Sequence, residues 1–373
     1  MRLAIVSPGP PYRGGISDLS ALVAGELRKR HDLLFVNYRR QYPRILFPGK
    51  TEYKVGPPTD FENERILDSL NPLTWLQTVQ RLQAYGPEMV LFRYWHPFFA
   101  PLIMTIARRL RRHGIPSALL VDNLLPHEST PVDRILARHL LKSVSAAFTL
   151  SRSVANEIEI VSGRQPTGIL FHPLYSQFEM FPDRDHARQK LGLDERPVLM
   201  FFGLIRPYKG LDVFIKAMRL LRERMIPFQG LIVGECYEDA ARYHALIRDE
   251  GVDDDVRFMD RFVPDAEVPI YFAAADTLVL PYRTASQSGI VGIALQLERP
   301  VVATRVGGLD EYIEDGRSGQ LVAPDDPRAL ADALANLLVS GSLDDMQKTI
   351  HQTKERFSIK AFCQRLEEAL EHA

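Results

Sequence analysis

Two hydrophobic rhythms take turns along this chain of 373 residues. Short apolar runs bounded by Gly, Pro, Asn or Asp alternate with longer stretches in which apolar residues return every three or four positions. The first rhythm predicts buried strands and the second amphipathic helices. In the first half the strand runs are RLAIVS (2–7), LLFVNY (33–38), MVLFRYW (89–95), SALLVD (117–122), AFTLS (147–151) and GILF (168–171). Helical patterns lie between them near 16–30, 73–85, 99–113 and 131–143. A polar stretch, SQFEMFPDRDHARQKLGLDERP (176–197), then interrupts the alternation. A second series starts at Val198 with VLMFFG and continues through GLIVGE (230–235), VRFMD (256–260), TLVLPY (277–282), PVVATR (300–305) and GQLVA (319–323). Strands that alternate with helices imply parallel sheets joined by right-handed crossovers.

The two series open alike. RLAIVSPGPPYRGG and PVLMFFGLIRPYKG are each a strand, a loop of Gly, Pro and basic residues, and the start of a helix. We therefore expect an α/β protein of two Rossmann-like, doubly wound domains facing across a cleft. Each would carry a loop at the carboxyl end of its first strand, where open parallel sheets bind ligands. The boundaries read 1–176 for the first domain, 177–196 for the connection, 197–356 for the second domain and 357–373 for a final amphipathic helix, SIKAFCQRLEEALEHA within it.

Composition narrows the class. A 46% hydrophobic and 25% charged chain is that of a globular protein. Two cysteines, Cys236 and Cys363, make neither a disulfide framework nor a metal cluster, which suits a cytoplasmic protein. The opening apolar run is too short for a secretory signal and reads as a first strand. No stretch is long enough to cross a bilayer as a helix. Charge is uneven: residues 1–180 carry 22 Lys and Arg against 15 Asp and Glu, and the remainder 24 against 32. A basic half suits an anionic partner, while the plain alternative is two solvated halves.

The loops carry the chemistry. A nicotinamide fingerprint needs Gly-x-Gly-x-x-Gly and an acid after the second strand, whereas SPGPPYRGG has other spacing and the second strand ends in NYRR. The triphosphatase loop is absent as well. GLIRPYKGLDVF (203–214) is more informative. Arg206 and Lys209 precede a helix whose apolar face is Leu211, Phe214, Ile215, Met218 and Leu221. Cations at a helix start oppose its macrodipole, so an anion is expected there, and a diphosphate suits an Arg fork beside a Lys point charge. Gln287, Ser288, Gly289 and Ile290 open a second apolar helix, with Ser288 as its N-cap and Gly289 allowing close backbone approach. TRVGGLDE (304–311) adds a third turn of this kind.

These runs resemble the donor-binding domain of GT-B glycosyltransferases of retaining family 4: FFGLIRPYKGLDVFIKAM, VGECYEDAARYHALI and the long run from FVPDAEVPIYF to RSGQLV. SPGPPYRGGIS, YWHPFFAP, NLLPHE and LSRSV resemble that family's first domain less specifically. The resemblance implies transfer of a sugar from a nucleotide-diphosphate sugar to a glycan or lipid-linked acceptor, with retained configuration, no cofactor and no metal. Arg206 and Lys209 would hold the diphosphate. Gly203, Gln287, Ser288, Gly289 and Ile290 would line the donor site. Gly14 and Gly15 would form a flexible loop of the first domain, and the last helix would return to that domain.

The chain departs from the family pattern at two places. A pair of glutamates spaced eight apart falls here on Ala285 and Ile293. Where His-Asn is frequent this chain has Asp122-Asn123, so Asp122 would orient or deprotonate an acceptor hydroxyl or else cap a turn. His127, beside Glu128, is the stronger acceptor-side candidate; His96 among aromatics reads as packing. Arginine clusters at Arg39, Arg40, Arg44 with Lys50, and at Arg108, Arg109, Arg111, Arg112, read either as solvated faces or as peripheral docking on the inner face of an anionic membrane. Nucleic acid is not expected, since no aromatic stacking pattern is interleaved with them. Two other functions stay open at this point: a silent nucleotide-binding scaffold, favoured by the lost glutamates, and a sugar-nucleotide epimerase.

Overall fold

A computed structural model of the chain describes residues 1–43, 52–53, 61–126, 129–178 and 183–372. It divides into two units, Met1–Pro173 with Phe357–Ala373, and Leu174–Arg356. Each is built on one parallel sheet.

The first sheet comprises β1 (Arg2–Val6), β2 (Asp32–Arg40), β3 (Glu64–Asp68), β4 (Met89–Tyr94), β5 (Ser117–Val121), β6 (Ala146–Thr149) and β7 (Gly168–Ile169), in the order β3-β2-β1-β4-β5-β6-β7. Crossover helices cover both faces, so β4 and β5 are buried along their whole length. Val90, Phe92, Leu119 and Val121 pack with Leu102, Ile103, Ile106 and Leu110 of the Ala100–Arg112 helix in one core.

The strands expected from apolar runs are present to within two residues, but β3 has no counterpart among them. Its sequence, ERILD, buries only Leu67. As the sheet's edge it needs one inward residue and carries charge elsewhere, with Arg81 on Glu64 and Arg40 on Asp68. A strand of that kind has no apolar run to betray it.

The Ile359–Glu371 helix belongs to the first unit and packs on the Gly15–Leu27 helix. It buries Phe362, Cys363, Leu366 and Leu370. Glu367 accepts from Arg30 Nε and Nη2 at 3.0 Å each and meets His31 Nε2 at 2.6 Å.

The second sheet comprises β8 (Val198–Phe202), β9 (Gln229–Val233), β10 (Val256–Met259), β11 (Thr277–Leu280), β12 (Val301–Thr304) and β13 (Gly319–Val322), in the order β10-β9-β8-β11-β12-β13. Counted from its first strand, it is wound as the first sheet is. The winding reverses between β8 and β11, and loops after those strands leave the sheet side by side. The polar connection contributes one short helix, Arg184–Leu191, capped by Asp183 and pinned by Arg188 to the Ala274 carbonyl and to Asp276.

The Leu211–Glu223 helix shows why the first turn of this sheet is rigid. Leu211, Phe214, Ile215, Met218 and Leu221 are all fully buried, as their spacing predicts. Gly210 starts the helix with φ of 67°, and a Cβ there would overlap the Pro281 carbonyl oxygen. The loops after β8 and β11 thus touch backbone to backbone at the reversal point.

Candidate donor site in the second unit

β8 delivers Gly203, Leu204 and Ile205 into the loop, and a single 3-10 turn, Pro207–Lys209, leads through Gly210 into the Leu211–Glu223 helix. Ile205 donates its N–H to the Glu235 carbonyl at 3.0 Å, and Tyr237 donates to the Ile205 carbonyl at 3.1 Å, so the loop is stitched to the one after β9. Gly203 has φ of 105°, open only to a residue without a side chain. Its bare face is shared: a Cβ there would stand 3.2 Å from Ile290 Cδ1 and 3.4 Å from Lys209 Nζ. Gly203, Lys209 and Ile290, far apart in sequence, therefore meet.

Lys209 is the unusual member. It is only 8% exposed, and among the described residues no carboxylate pairs with it. Its Nζ lies 5.4 Å from the centre of the buried Tyr282 ring. Burial, reinforced by the Arg206 charge, pulls its pKa down to about 8. Arg206 is half-buried, with its guanidinium 5.0 Å from the centre of the Tyr237 ring. Two cations held without an acid between them make a strongly positive spot, one that favours an anion.

The Gly289–Gln296 helix points its start into the same region. Ser288 is the N-cap, with extended φ of −140°, but its side chain makes no capping hydrogen bond. The leading amides of the helix are thus not satisfied by their own cap. Tyr175 stands over this terminus: a Cβ on Gly289 would come 2.7 Å from its hydroxyl. Gln287 sits half-buried just upstream, and Ser286 accepts from the Gly308 N–H at 3.2 Å, joining the Gly-rich turn after β12 to the group. The two positions without a carboxylate differ in setting. Ala285 abuts Gly307 through its backbone, whereas Ile293 is buried on the helix.

The first-unit candidates are placed separately. Gly14 and Gly15 are exposed at the start of the Gly15–Leu27 helix. Asp122 is 3% exposed, and Arg93, itself buried within β4, donates to both its oxygens at 2.6 and 2.7 Å. Arg93 also donates to Ser20 Oγ at 3.1 Å, which lies 2.7 Å from Ser7 Oγ. His172, buried beside this group, is pushed down to about 4 by burial and by the Arg93 charge, and is neutral near pH 7. Asp122 is thus held on both oxygens by a buried guanidinium. His127, Arg44 and Lys50 lie outside the described residues. His96 accepts from the Phe98 N–H through Nδ1 at 3.1 Å and so caps a turn. Among the described residues, no three His, Cys, Asp or Glu side chains form a metal-ligand set, and no helix is long and apolar enough to cross a membrane.

Sequence reasoning passed over Tyr175, Tyr282 and Arg283. None has a spacing signal; each matters through a contact that only folding makes.

Fold and site together define a sugar-transferring enzyme of the GT-B class. Residues 196–340 match the model of the family described as glycosyl transferases group 1. A D-inositol 3-phosphate glycosyltransferase of Acidothermus cellulolyticus is 33% identical over 368 residues, spanning 90% of this chain and 80% of that protein. A GDP-mannose-dependent alpha-(1-6)-phosphatidylinositol monomannoside mannosyltransferase of Mycolicibacterium smegmatis is 28% identical, spanning 90% of this chain and 88% of its own. Among solved structures, Anabaena HepE in complex with UDP superposes over all of both chains with a TM-score of 0.78 at 19% identity. Sucrose-phosphate synthase of Thermosynechococcus elongatus does so over 100% of this chain and 98% of its own, with a TM-score of 0.77 at 17% identity. The chain belongs to the group 1 glycosyl transferases. That membership makes it a glycosyltransferase, the reading favoured over the silent scaffold and the epimerase.

The Arg93–Asp122 pair yields a stability test. Asp122→Asn should destabilise the protein by about 3–5 kcal/mol, because it strands a buried guanidinium, while Arg93→Met with Asp122→Leu should cost less than the single change. Urea unfolding of the three proteins decides it; a single variant as stable as the parent would show that the pair is not an anchor.

Proposed function

We propose that the protein moves a sugar, with retention of configuration, from a nucleoside-diphosphate sugar to a glycan or lipid-linked acceptor, and that the second unit binds the donor. One observation carries this reading: Lys209, a buried ammonium without an acidic partner among the described residues, sits where Gly203 and the start of the Gly289–Gln296 helix converge. Burying an unpaired charge is costly unless a ligand supplies the counter-charge. A pyrophosphate supplies it and also accepts hydrogen bonds from the free amides at Gly289 and Ile290.

In this reading the bond from the sugar's anomeric carbon to the diphosphate breaks, and its electron pair stays on the phosphate oxygen. Lys209 and Arg206 stabilise the charge that grows there, fixed in place before the reaction begins. The acceptor hydroxyl forms its new bond to the anomeric carbon from the face the phosphate leaves, and its proton passes to the departing phosphate oxygen. Gly203, bare on that side, lets Lys209 Nζ and Ile290 sit close to the backbone. Asp122, held by Arg93, shapes the first unit's loops instead of taking the proton.

The acceptor side is basic. Arg108, Arg109, Arg111 and Arg112 are exposed on one helix, and the names of the two relatives from Acidothermus cellulolyticus and Mycolicibacterium smegmatis include phosphorylated inositol compounds. This supports an anionic acceptor and peripheral docking on the inner face of an anionic membrane. Each basic residue near such a surface contributes about 1 kcal/mol. The basic faces should carry the protein down with vesicles containing phosphatidylserine and leave it free with phosphatidylcholine alone; equal binding to both removes the electrostatic basis.

The donor is identified by incubating the protein with a panel of nucleotide sugars, following free nucleoside diphosphate and the product's anomeric configuration by NMR. Arg206→Ala and Lys209→Ala should each weaken diphosphate binding by roughly 1.5–3 kcal/mol in calorimetry. Unchanged affinity, or a product of inverted configuration, would overturn the corresponding half of the reading.

Lys209 also fixes a pH dependence. Its folded pKa of about 8 lies below that of the unfolded chain, so between about 8 and 10.4 the unfolded state binds more protons and stability of the free protein rises with pH. A bound pyrophosphate favours the charged form, so diphosphate affinity should fall as pH climbs past about 8. In Lys209→Arg, which stays charged, that fall should vanish. A pH profile identical in both proteins would show that Lys209 does not face the anion.

A further inference from the structure

Arg283 lies just past β11 and has no role in the sequence reading, yet it holds the Pro207–Lys209 turn from three sides. Its backbone N–H donates to the Tyr208 carbonyl at 2.7 Å, and its Nη1 to the Pro207 carbonyl at 2.8 Å. Nη1 and Nη2 grip both oxygens of Asp212, in the first turn of the Leu211–Glu223 helix, at 2.9 and 2.8 Å. Nε meets Asp325, in the loop after β13, at 2.6 Å. Asp325 holds φ of 55°, a conformation non-glycine residues adopt infrequently. Burial pushes the Asp212 carboxyl up, but the Arg283 hydrogen bonds outweigh it and hold it below the ordinary carboxylate range. The carboxyl-end loops of β8, β11 and β13 are therefore tied through one planar guanidinium.

We propose that Arg283 is a positioning residue for the donor site: it fixes the Pro207–Lys209 turn so that Lys209 and Arg206 stand preorganised for an anion. The turn has just three residues, and its own hydrogen bonds are Lys209 N–H to Arg206 carbonyl and Gly210 N–H to Pro207 carbonyl. Nothing so short holds two like charges together unaided. Arg283 donates to two carbonyls, one through its backbone N–H, and to two carboxylates, and so gives the turn a rigid outer wall, while its own charge is met by Asp212 and Asp325 and does not compete for the ligand. Lysine could carry the charge but not the planar fork. The proposal rests on the reading of that turn as the pyrophosphate site, and the test separates the two.

Arg283→Met, Arg283→Lys and Asp325→Asn are compared with the parent in two measurements. The first is hydrogen exchange of the amides of residues 205–212 without ligand. The tie predicts faster exchange confined to this segment, largest in Arg283→Met and smaller in Asp325→Asn, which removes one partner only. Unchanged exchange overturns the proposal whatever the protein binds. The second is UDP, GDP and ADP affinity by calorimetry, with Lys209→Ala added in each background. Arg283→Met should weaken the preferred diphosphate about tenfold, with Arg283→Lys intermediate, and Lys209→Ala should cost less in the Arg283→Met background than in the parent. Losses that simply add, or parental affinity in folded Arg283→Met, overturn it. If the parent binds none of the three diphosphates, the donor-site reading fails, and segment-specific exchange still decides whether Arg283 holds the turn. Should Arg283→Met not fold, Arg283→Lys and Asp325→Asn carry the same comparison.

Discussion

An ammonium group taken out of water without a counter-charge is the constraint around which the second unit is arranged. Lys209 is enclosed by Gly203, Ile290 and the Tyr282 ring, and its positive charge is reinforced by Arg206 instead of being cancelled. Such a group raises the free energy of the empty protein. It persists because surrounding contacts over-determine its place. Gly210 presses on the Pro281 carbonyl, Ile205 is bonded into the loop after β9, and Arg283 braces the turn from outside. An anion bound there, as proposed, would supply the missing counter-charge.

The first unit resolves the same problem in the opposite way. Arg93, inside β4, is buried as Lys209 is, but Asp122 neutralises it within hydrogen-bonding distance, and Ser20 takes a third donor. A closed pair of that kind lends rigidity and leaves no field for a ligand. One buried cation is thus paired and the other is not, although Arg93 lies inside a strand and Lys209 in the turn after one.

The group 1 family resemblance could be read from short runs because those runs encode backbone geometry. GLIRPYKG turns sharply, brings a lysine beside Gly203 and starts a helix. The pattern of apolar runs exposed the parallel strands of both sheets for the same reason, since a strand buried on two faces has to be continuously apolar. The edge strand β3 escaped notice because ERILD buries a single side chain. Tyr175 and Arg283 escaped notice because a tyrosine and an arginine carry no periodicity.

By itself the sequence determined the two-sheet α/β architecture, the helix faces and the turn that bears Arg206 and Lys209, all properties of local pattern and chain stiffness. Only tertiary structure decided which charges are paired. Asp122, open in the sequence to an acceptor-side or a turn-capping role, is gripped by Arg93, 29 residues earlier, and Arg283, which the sequence pattern passes over, meets Asp212 and Asp325. Electrostatic roles depend on distances between strand ends, and those are set by the winding of the sheet and not by neighbours along the chain.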